Sequence, residues 1–338
     1  MSDMLNQNAH LNPKVFDEDV EQVPSRNGFG EGLVLAGDEN PNVVGLCADL
    51  TGSTKMQAFA DKFPDRFIQI GVAEQNLVTI ASGMAAVGKI PFTSSYAMFS
   101  PGRSWEQIRT TICYNDRSVK IIGSHAGISV GPDGATHQAI EDIAITRVLP
   151  NMVVIAPADS IEARKATVAM AKNGKPTYMR LSREKVPVIT TESTPFEIGQ
   201  ALVLYTGSDP EKKDDAAIIA CGTMVHRALL AAKALKEHKI SVRVINCHTI
   251  KPLDKKTILQ AAEECGAIVT VEEHQIYGGL GSAIAEVVSQ NFPVPMKIIG
   301  VEDHFGESGE PNELLEKFGL TVDTIVKAVT QVLRMKEK

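Results

Sequence analysis

The stretch Phe67-Ile-Gln-Ile-Gly71-Val-Ala-Glu74-Gln-Asn-Leu77-Val-Thr-Ile80-Ala81-Ser-Gly-Met84-Ala85 decides the fold class of this 338-residue chain. Its first five residues, Phe67–Gly71, form a short apolar run bounded by glycine and read as a buried strand. Beyond the glycine the period changes. Leu77, Ile80, Ala81, Met84 and Ala85 recur at helical spacing, so a helix is predicted over Glu74–Gly88. A strand that turns within three residues into an amphipathic helix is the building step of an α/β sheet. The same periodicity leaves Glu74 in the first helical turn and off the apolar face. Acidic residues are common there because the helix macrodipole favours them. A carboxylate at the end of a strand can also be presented to a ligand.

Outward from this unit the rhythm repeats. Strands are predicted at Val43–Ala48, Pro91–Ser94, Val119–Gly123, Val153–Ala156 and Pro176–Arg180, with helices near Thr54–Lys62, Trp105–Cys113, Ala139–Leu149 and Ile161–Asn173. The period lapses from Lys185 to about Pro195, where two prolines and a Thr-Thr-Glu-Ser-Thr-Pro run mark a linker, assigned to residues 191–200. It then restarts, with strands at Ala216–Cys221, Ser241–Asn246, Ala267–Glu272 and Met296–Val301. The matching helices are Val225–His238, Lys256–Cys265, Gly281–Gln290 and Asp323–Met335. The expected organisation is a polar arm over 1–21, one α/β domain over 22–190, the linker, and a second, smaller α/β domain over 201–338.

The net charge of -7 argues against general binding to nucleic acid or anionic membranes, which need a basic field, so phosphate recognition must be local. The 5 cysteines are scattered and never in C-x-x-C spacing, which reads as reduced thiols and assigns no metal site to them. The polar N-terminal stretch has no apolar signal core, and no apolar run approaches the roughly 18 residues of a membrane span. A cytoplasmic, soluble protein is expected.

A second segment concentrates polar chemistry: His125-Ala-Gly-Ile-Ser-Val-Gly-Pro-Asp133-Gly-Ala-Thr-His137-Gln138, between a predicted strand and a predicted helix. In open α/β sheets ligands sit at the carboxyl ends of strands, so this glycine-rich loop lies where a site is expected. Read only locally, Asp133-Gly134 is a favoured turn and Thr136 a helix cap.

Together Gly71–Asn76 and His125–Gln138 resemble the pyrimidine-binding half of the transketolases, a family that uses thiamine diphosphate. The resemblance runs from about Ser25 onward and takes in Ala48–Ser53, Leu181-Ser182-Arg183, Ile250–Asp254, Glu272-Glu273-His274 and Phe305–Gly309. It implies two three-layer α/β/α domains: a pyrimidine-binding domain with a mostly parallel sheet, and a transketolase C-terminal domain, structural and dimer-forming, with a mixed, mostly parallel one. The Gly-Asp-Gly…Asn element with which the family holds the diphosphate and its cation is absent from the sequence. The chain therefore resembles the C-terminal subunit of a split transketolase. A partner N-terminal subunit is expected to bring the diphosphate and the Mg²⁺ or Ca²⁺ ligands, in an α2β2 heterotetramer with the cofactor across the interface.

The resemblance also implies roles. Glu74 is expected to hydrogen-bond the aminopyrimidine and activate the cofactor, with Tyr96 and Phe99 stacking on the ring and Asp49 nearby. Arg26, Ser53 and Arg183 are expected to clamp a sugar phosphate. His125 and His137 are expected to contact the donor's carbonyl and hydroxyls and to move protons, and Asp133 to bind a hydroxyl. Two positions depart from the family's pattern: Ala126, where sugar-phosphate transketolases often carry Asp, and Gly102, near which many members have a large side chain. The implied reaction is transfer of a two-carbon ketol unit between a ketose phosphate and an aldose phosphate. A β subunit of a 2-oxoacid dehydrogenase first component also splits its cofactor domains between chains, but a short 2-oxo acid offers no phosphate for Arg26 and Arg183 to clamp. A noncatalytic regulatory subunit is the remaining alternative, against which Glu74, His125 and His137 speak.

Overall fold

The computed structural model describes residues 4–207 and 213–337; residues 1–3 of the expected arm, and 208–212 and 338 of the expected second domain, lie outside the described residues. Two α/β/α domains are built on two sheets, as the alternation of strand and helix patterns predicts. Strands β1 (Gln22–Pro24), β2 (Val43–Cys47), β3 (Phe67–Gln69), β4 (Ile90–Tyr96), β5 (Lys120–Ser124), β6 (Val153–Ile155), β7 (Thr177–Arg180) and β8 (Lys185–Pro187) come from the first half of the chain. The second half adds β9 (Leu202–Thr206), β10 (Ala216–Ala220), β11 (Val242–Asn246), β12 (Thr249–Lys251), β13 (Ile268–Gln275) and β14 (Met296–Val301).

The first sheet has seven strands in the order β12-β6-β7-β5-β4-β2-β3, all parallel except the edge strand β12. The second has five, in the order β14-β13-β10-β11-β9, parallel except for β9. Strands β2, β5 and β10 are buried at every residue. Continuous apolar runs such as Ala216-Ala-Ile-Ile-Ala220 are what a parallel strand covered on both faces requires.

Helices α1 (Ser25–Glu39), α2 (Gln57–Lys62), α3 (Glu74–Ala86), α4 (Trp105–Gln107, continued by a π turn over Ile108–Cys113), α5 (Asp142–Arg147) and α6 (Ser160–Lys172) cover the first sheet. The second is covered by α7 (Met224–Glu237), α8 (Lys255–Cys265), α9 (Leu280–Asn291), α10 (Pro311–Lys317) and α11 (Val322–Lys336). Helix α6 is started by Asp159, whose Oδ1 accepts the Glu162 N–H at 2.9 Å, and it buries Ala163, Ala166 and Met170.

Several features depart from the sequence reading. The arm is not a detached polar tail, because Ala9 and Val15 are fully buried in the second domain's core and the Asn6 N–H donates to the Leu204 carbonyl at 2.9 Å. Residues Lys185–Pro187, read as the start of an aperiodic stretch, pair with β1 as β8. Strand β12 follows β11 of the second sheet but pairs with β6 of the first. The helix predicted over Ala139–Leu149 shortens to Asp142–Arg147, because Ala139 is held in a bridge to Ala126 across the base of the polar loop.

Candidate active site

Strands β4 and β5 are parallel neighbours with Tyr96 opposite Ser124, so their carboxyl ends deliver Tyr96 and His125 side by side. Their rings lie 4.0 Å apart, centroid to centroid. Two strands over, beyond β2, β3 leads through Gly71 into α3, whose first residue is Glu74, and that residue is only 2% exposed. Its Oε1 accepts from Ser95 Oγ at 3.3 Å and its Oε2 from Arg103 Nη1 at 2.7 Å. The Arg103 guanidinium in turn lies over the Phe99 ring, 4.8 Å from its centroid. Phe99 meets His137 edge-on at 5.3 Å, which links the Glu74 group to the histidine loop.

The tautomer of His125 follows from its partners. Arg26 Nη1 lies 3.1 Å from His125 Nε2, and a guanidinium can only donate, so Nε2 is the acceptor. The proton therefore sits on Nδ1, which donates to Ser124 Oγ at 2.8 Å. Burial, and after it the positive charges of Arg26 and Arg183, pushes the His125 pKa down to about 3, so the ring is neutral throughout the physiological range. Arg26 projects from the first turn of α1 and also donates to the Ser53 carbonyl at 2.8 Å, while its Nε is buried without a partner. Burial and the nearby Arg183 lower the Arg26 pKa. Arg183 donates to the Val130 carbonyl at 2.7 Å and pairs with Glu184 at 3.1 Å.

Direct contacts thus connect Arg26 with Ser53 and His125, and Tyr96 and Phe99 with the two histidines, while Arg183 reaches the same loop at Val130. His137 is half-buried, with Nδ1 2.9 Å from Thr136 Oγ1. The other two candidates stand at the margin. Asp49 is exposed at the end of β2 with φ 58°, its N–H donating to Gln69 Oε1, and Asp133 is exposed in the turn Ile128–Asp133.

Sequence reasoning passed over Arg103 and Ser95, which hold Glu74, and Ser124, which orients His125. The spacing Phe99-x-x-x-Arg103 is the only trace of the first, and it looks like any surface arginine. A groove of 450 Å³ opens beside Phe99, Gly102 and Arg103 and extends to Glu141 and Ile145. Among the described residues, no group of three or more His, Cys, Asp or Glu side chains is placed to hold a metal ion, and no helix is long and apolar enough to cross a membrane. A buried carboxylate flanked by an aromatic ring suits a nitrogen heterocycle, and two arginines with two histidines suit a hydroxylated anion.

Known proteins match the sequence and fold along nearly the whole chain. The family model for the transketolase pyrimidine-binding domain covers residues 21–188, and that for the transketolase C-terminal domain covers 207–325. A Methanocaldococcus jannaschii protein carrying the name transketolase C-terminal section is 44% identical over 312 residues, 91% of this chain and 96% of the relative. A 6-deoxy-6-sulfo-D-fructose transketolase subunit from a Clostridium species is 39% identical, over 95% of this chain and 98% of the relative. Among solved structures, a split-gene transketolase described as an inactive β4 tetramer superposes with a TM-score of 0.86 at 46% identity, covering 93% of this chain and 99% of that one. The chain belongs to the transketolase family, and it corresponds to the family's C-terminal section.

Proposed function

We propose that this chain is the C-terminal subunit of a two-subunit, thiamine-diphosphate-dependent transketolase. The reaction is reversible transfer of a two-carbon ketol unit from a ketose phosphate, such as xylulose 5-phosphate, to an aldose phosphate, such as ribose 5-phosphate. The observation that supports this reading is the buried Glu74 carboxylate at the start of α3, joined through Arg103 and Phe99 to His137 and the neighbouring His125 and Arg26. The donor set fits the aminopyrimidine end of the cofactor: a carboxylate for a ring nitrogen, with aromatic faces at Phe99 and Tyr96. When bound, thiamine diphosphate supplies the nucleophilic carbon and the electron sink for carbon–carbon bond cleavage.

The chain's own residues then divide the remaining work. Glu74 would hold a proton toward the ring nitrogen, and Asp49, exposed at the end of β2, would be a further cofactor contact. Arg26 and Arg183 take the sugar phosphate, with Ser53 and Asp133 reading hydroxyls. His125 is held neutral and acts by hydrogen bonding, so proton movement falls to the more accessible His137. The diphosphate and its Mg²⁺ or Ca²⁺ belong to an N-terminal partner subunit in a cytoplasmic α2β2 assembly. The working division of this subunit is an arm over 1–21, a pyrimidine-binding domain over 22–190, a linker over 191–200 and a C-terminal domain over 201–338.

The test is reconstitution. This chain mixed with a candidate diphosphate-domain subunit, thiamine diphosphate and Mg²⁺ is expected to turn over xylulose 5-phosphate with ribose 5-phosphate, and neither subunit alone is. Turnover and tight cofactor binding by this chain alone would refute the split. The name of the Clostridium relative makes a sulfosugar the specific alternative donor, so 6-deoxy-6-sulfofructose belongs in the same assay.

A further inference from the structure

We infer that the second domain sets the position of the substrate loop 127–138, through Glu273 at one end and the segment Phe305–Ser308 at the other. The inference rests on the transketolase reading of that loop and assigns the second domain a part in sugar binding as well as assembly.

The first clamp is a carboxylate. Glu273, on β13 and 2% exposed, reaches across the domain boundary so that its Oε1 accepts the Ser129 N–H at 2.7 Å. Its Oε2 accepts from Thr223 Oγ at 2.6 Å, which anchors the side chain in its own domain. The approach is tight. A Cβ on Gly127, whose φ is 92°, would lie 2.2 Å from Glu273 Oε1. Both the turn and the carboxylate therefore require glycine there.

The second clamp is an amide. Gln138 follows His137 directly and is 2% exposed. Its Nε2 faces the carbonyls of Ile128 at 3.2 Å and Gly131 at 3.1 Å within the loop, and that of Glu307 at 2.9 Å in the second domain. Two hydrogens serve three acceptors, so one bond is shared. The amide oxygen has no hydrogen-bond partner and lies against Gly306, where a Cβ would sit 1.7 Å from it. An apolar side chain would fill this space without leaving a buried oxygen unpaired. What the amide adds is three carbonyls tied to one point.

Arg183 holds the same loop from the first domain, through Val130. The His137 ring meets Thr136 and the rings of Tyr96 and Phe99, and its backbone N–H donates to the Gly134 carbonyl at 3.0 Å inside the loop, so its placement follows the loop that Gln138 ties down. Glu74 and Phe99 are organised separately, by Ser95 and Arg103 within the first domain. Glu273, Gln138 and Gly306 are therefore positioning residues for the sugar half of the site and not for the cofactor half.

In the reconstituted complex, Glu273→Ala and Gly306→Ala should raise the ketose-phosphate KM by about tenfold or more, since small misplacements of binding groups cost rate steeply. Cofactor Kd, read by isothermal titration calorimetry of the complex with thiamine diphosphate, should hold within about twofold of wild type. Glu273→Gln keeps an oxygen to accept from Ser129 and reverses the bond to Thr223, whose hydroxyl then accepts from the new amide, so it should restore KM. Gln138→Met serves as a second variant where Gly306→Ala fails to fold. Hydrogen exchange on the chain alone supplies a readout independent of turnover: amides of 127–138 should exchange faster in Glu273→Ala and not in Glu273→Gln. Unchanged exchange in Glu273→Ala, or KM, cofactor Kd and melting temperature moving together, would overturn the inference. Failure of the wild-type complex to bind thiamine diphosphate would sink the transketolase reading instead.

Discussion

Glu74 acquires chemical meaning from neighbours that lie far from it in sequence. Ser95 and Arg103 occupy one oxygen each, and Phe99 carries the guanidinium, so the carboxylate is fixed in direction before any ligand arrives. Replacing it with alanine should lower kcat/KM of the complex by roughly a thousandfold, the scale of a lost proton-transfer group, while leaving assembly intact. Parallel activity and sedimentation measurements check both halves of that statement. His125 offers a sign-sensitive test. Burial comes first among the causes of its low pKa and Arg26 second, so Arg26→Gln should raise it from about 3 part of the way toward the ordinary 6.5. The His125 Cε1–H resonance, flat between pH 5 and 8 in the wild type, should begin to titrate at the acid end of that range. A folded-state pKa below the unfolded one means that the unfolded chain takes up the proton first as pH falls. The stability conferred by neutral His125 is thus present above about 6.5 and lost on acidification toward 3. Arg26→Gln should make the acid limb of a denaturation-versus-pH curve shallower.

At the scale of elements, α3 and α6 were legible and α1 was not, for opposite reasons. Leu77, Ala81 and the rest of the apolar stripe of α3 repeat at 3.6 spacing, and α6 was expected over Ile161–Asn173, one residue from its observed start at Ser160. Helix α1 contains Gly28, Gly30, Gly32 and Gly37, and glycine reads locally as a helix breaker. In the folded chain α1 lies against α6 so closely that a Cβ on Gly28 would sit 1.7 Å from the Ser160 carbonyl oxygen and one on Gly32 2.7 Å from that of Arg164. Gly28 and Gly32 make room for α6, while Gly30 makes room for Lys55 and Gly37 for Phe59 and Phe63, contacts that no local pattern displays. Asp159 also does more than cap: Oδ2 accepts the N–H groups of Ile189 and Thr190, and Oδ1 the Thr190 hydroxyl. Asp159→Ala should therefore cost about 3 kcal/mol, a lost cap plus stranded buried donors, measurable as a lower urea midpoint at unchanged slope.

At the scale of the whole molecule the two halves are not separable beads. Strand β12 crosses from the second half to the edge of the first sheet, the segment Ala9–Val15 returns to the second domain's core, and β1 closes with β8. A fragment ending at residue 200 should then expose the flank of β6 and fail to give a cooperative thermal transition, with oligomers visible on size exclusion. A sharp monomeric melt for that fragment would show that β12 is dispensable.

Periodicity, the Gly71–Asn76 and His125–Gln138 motifs and the charge balance were enough to determine the fold class, the family and the identity of Glu74, His125 and His137 as residues of interest. The fold class rests on local spacing, and the family and those residues on the resemblance of the two motifs to the transketolases, both of which a sequence displays directly. The tertiary structure alone decided which nitrogen of His125 carries the proton, that Arg103 and Ser95 hold Glu74, and that Glu273 and Gln138 tie the substrate loop to the second domain. Each of those depends on side chains brought together from tens to more than a hundred residues apart. Burial then sets their charge states and hydrogen-bond roles, and burial belongs to the packed chain.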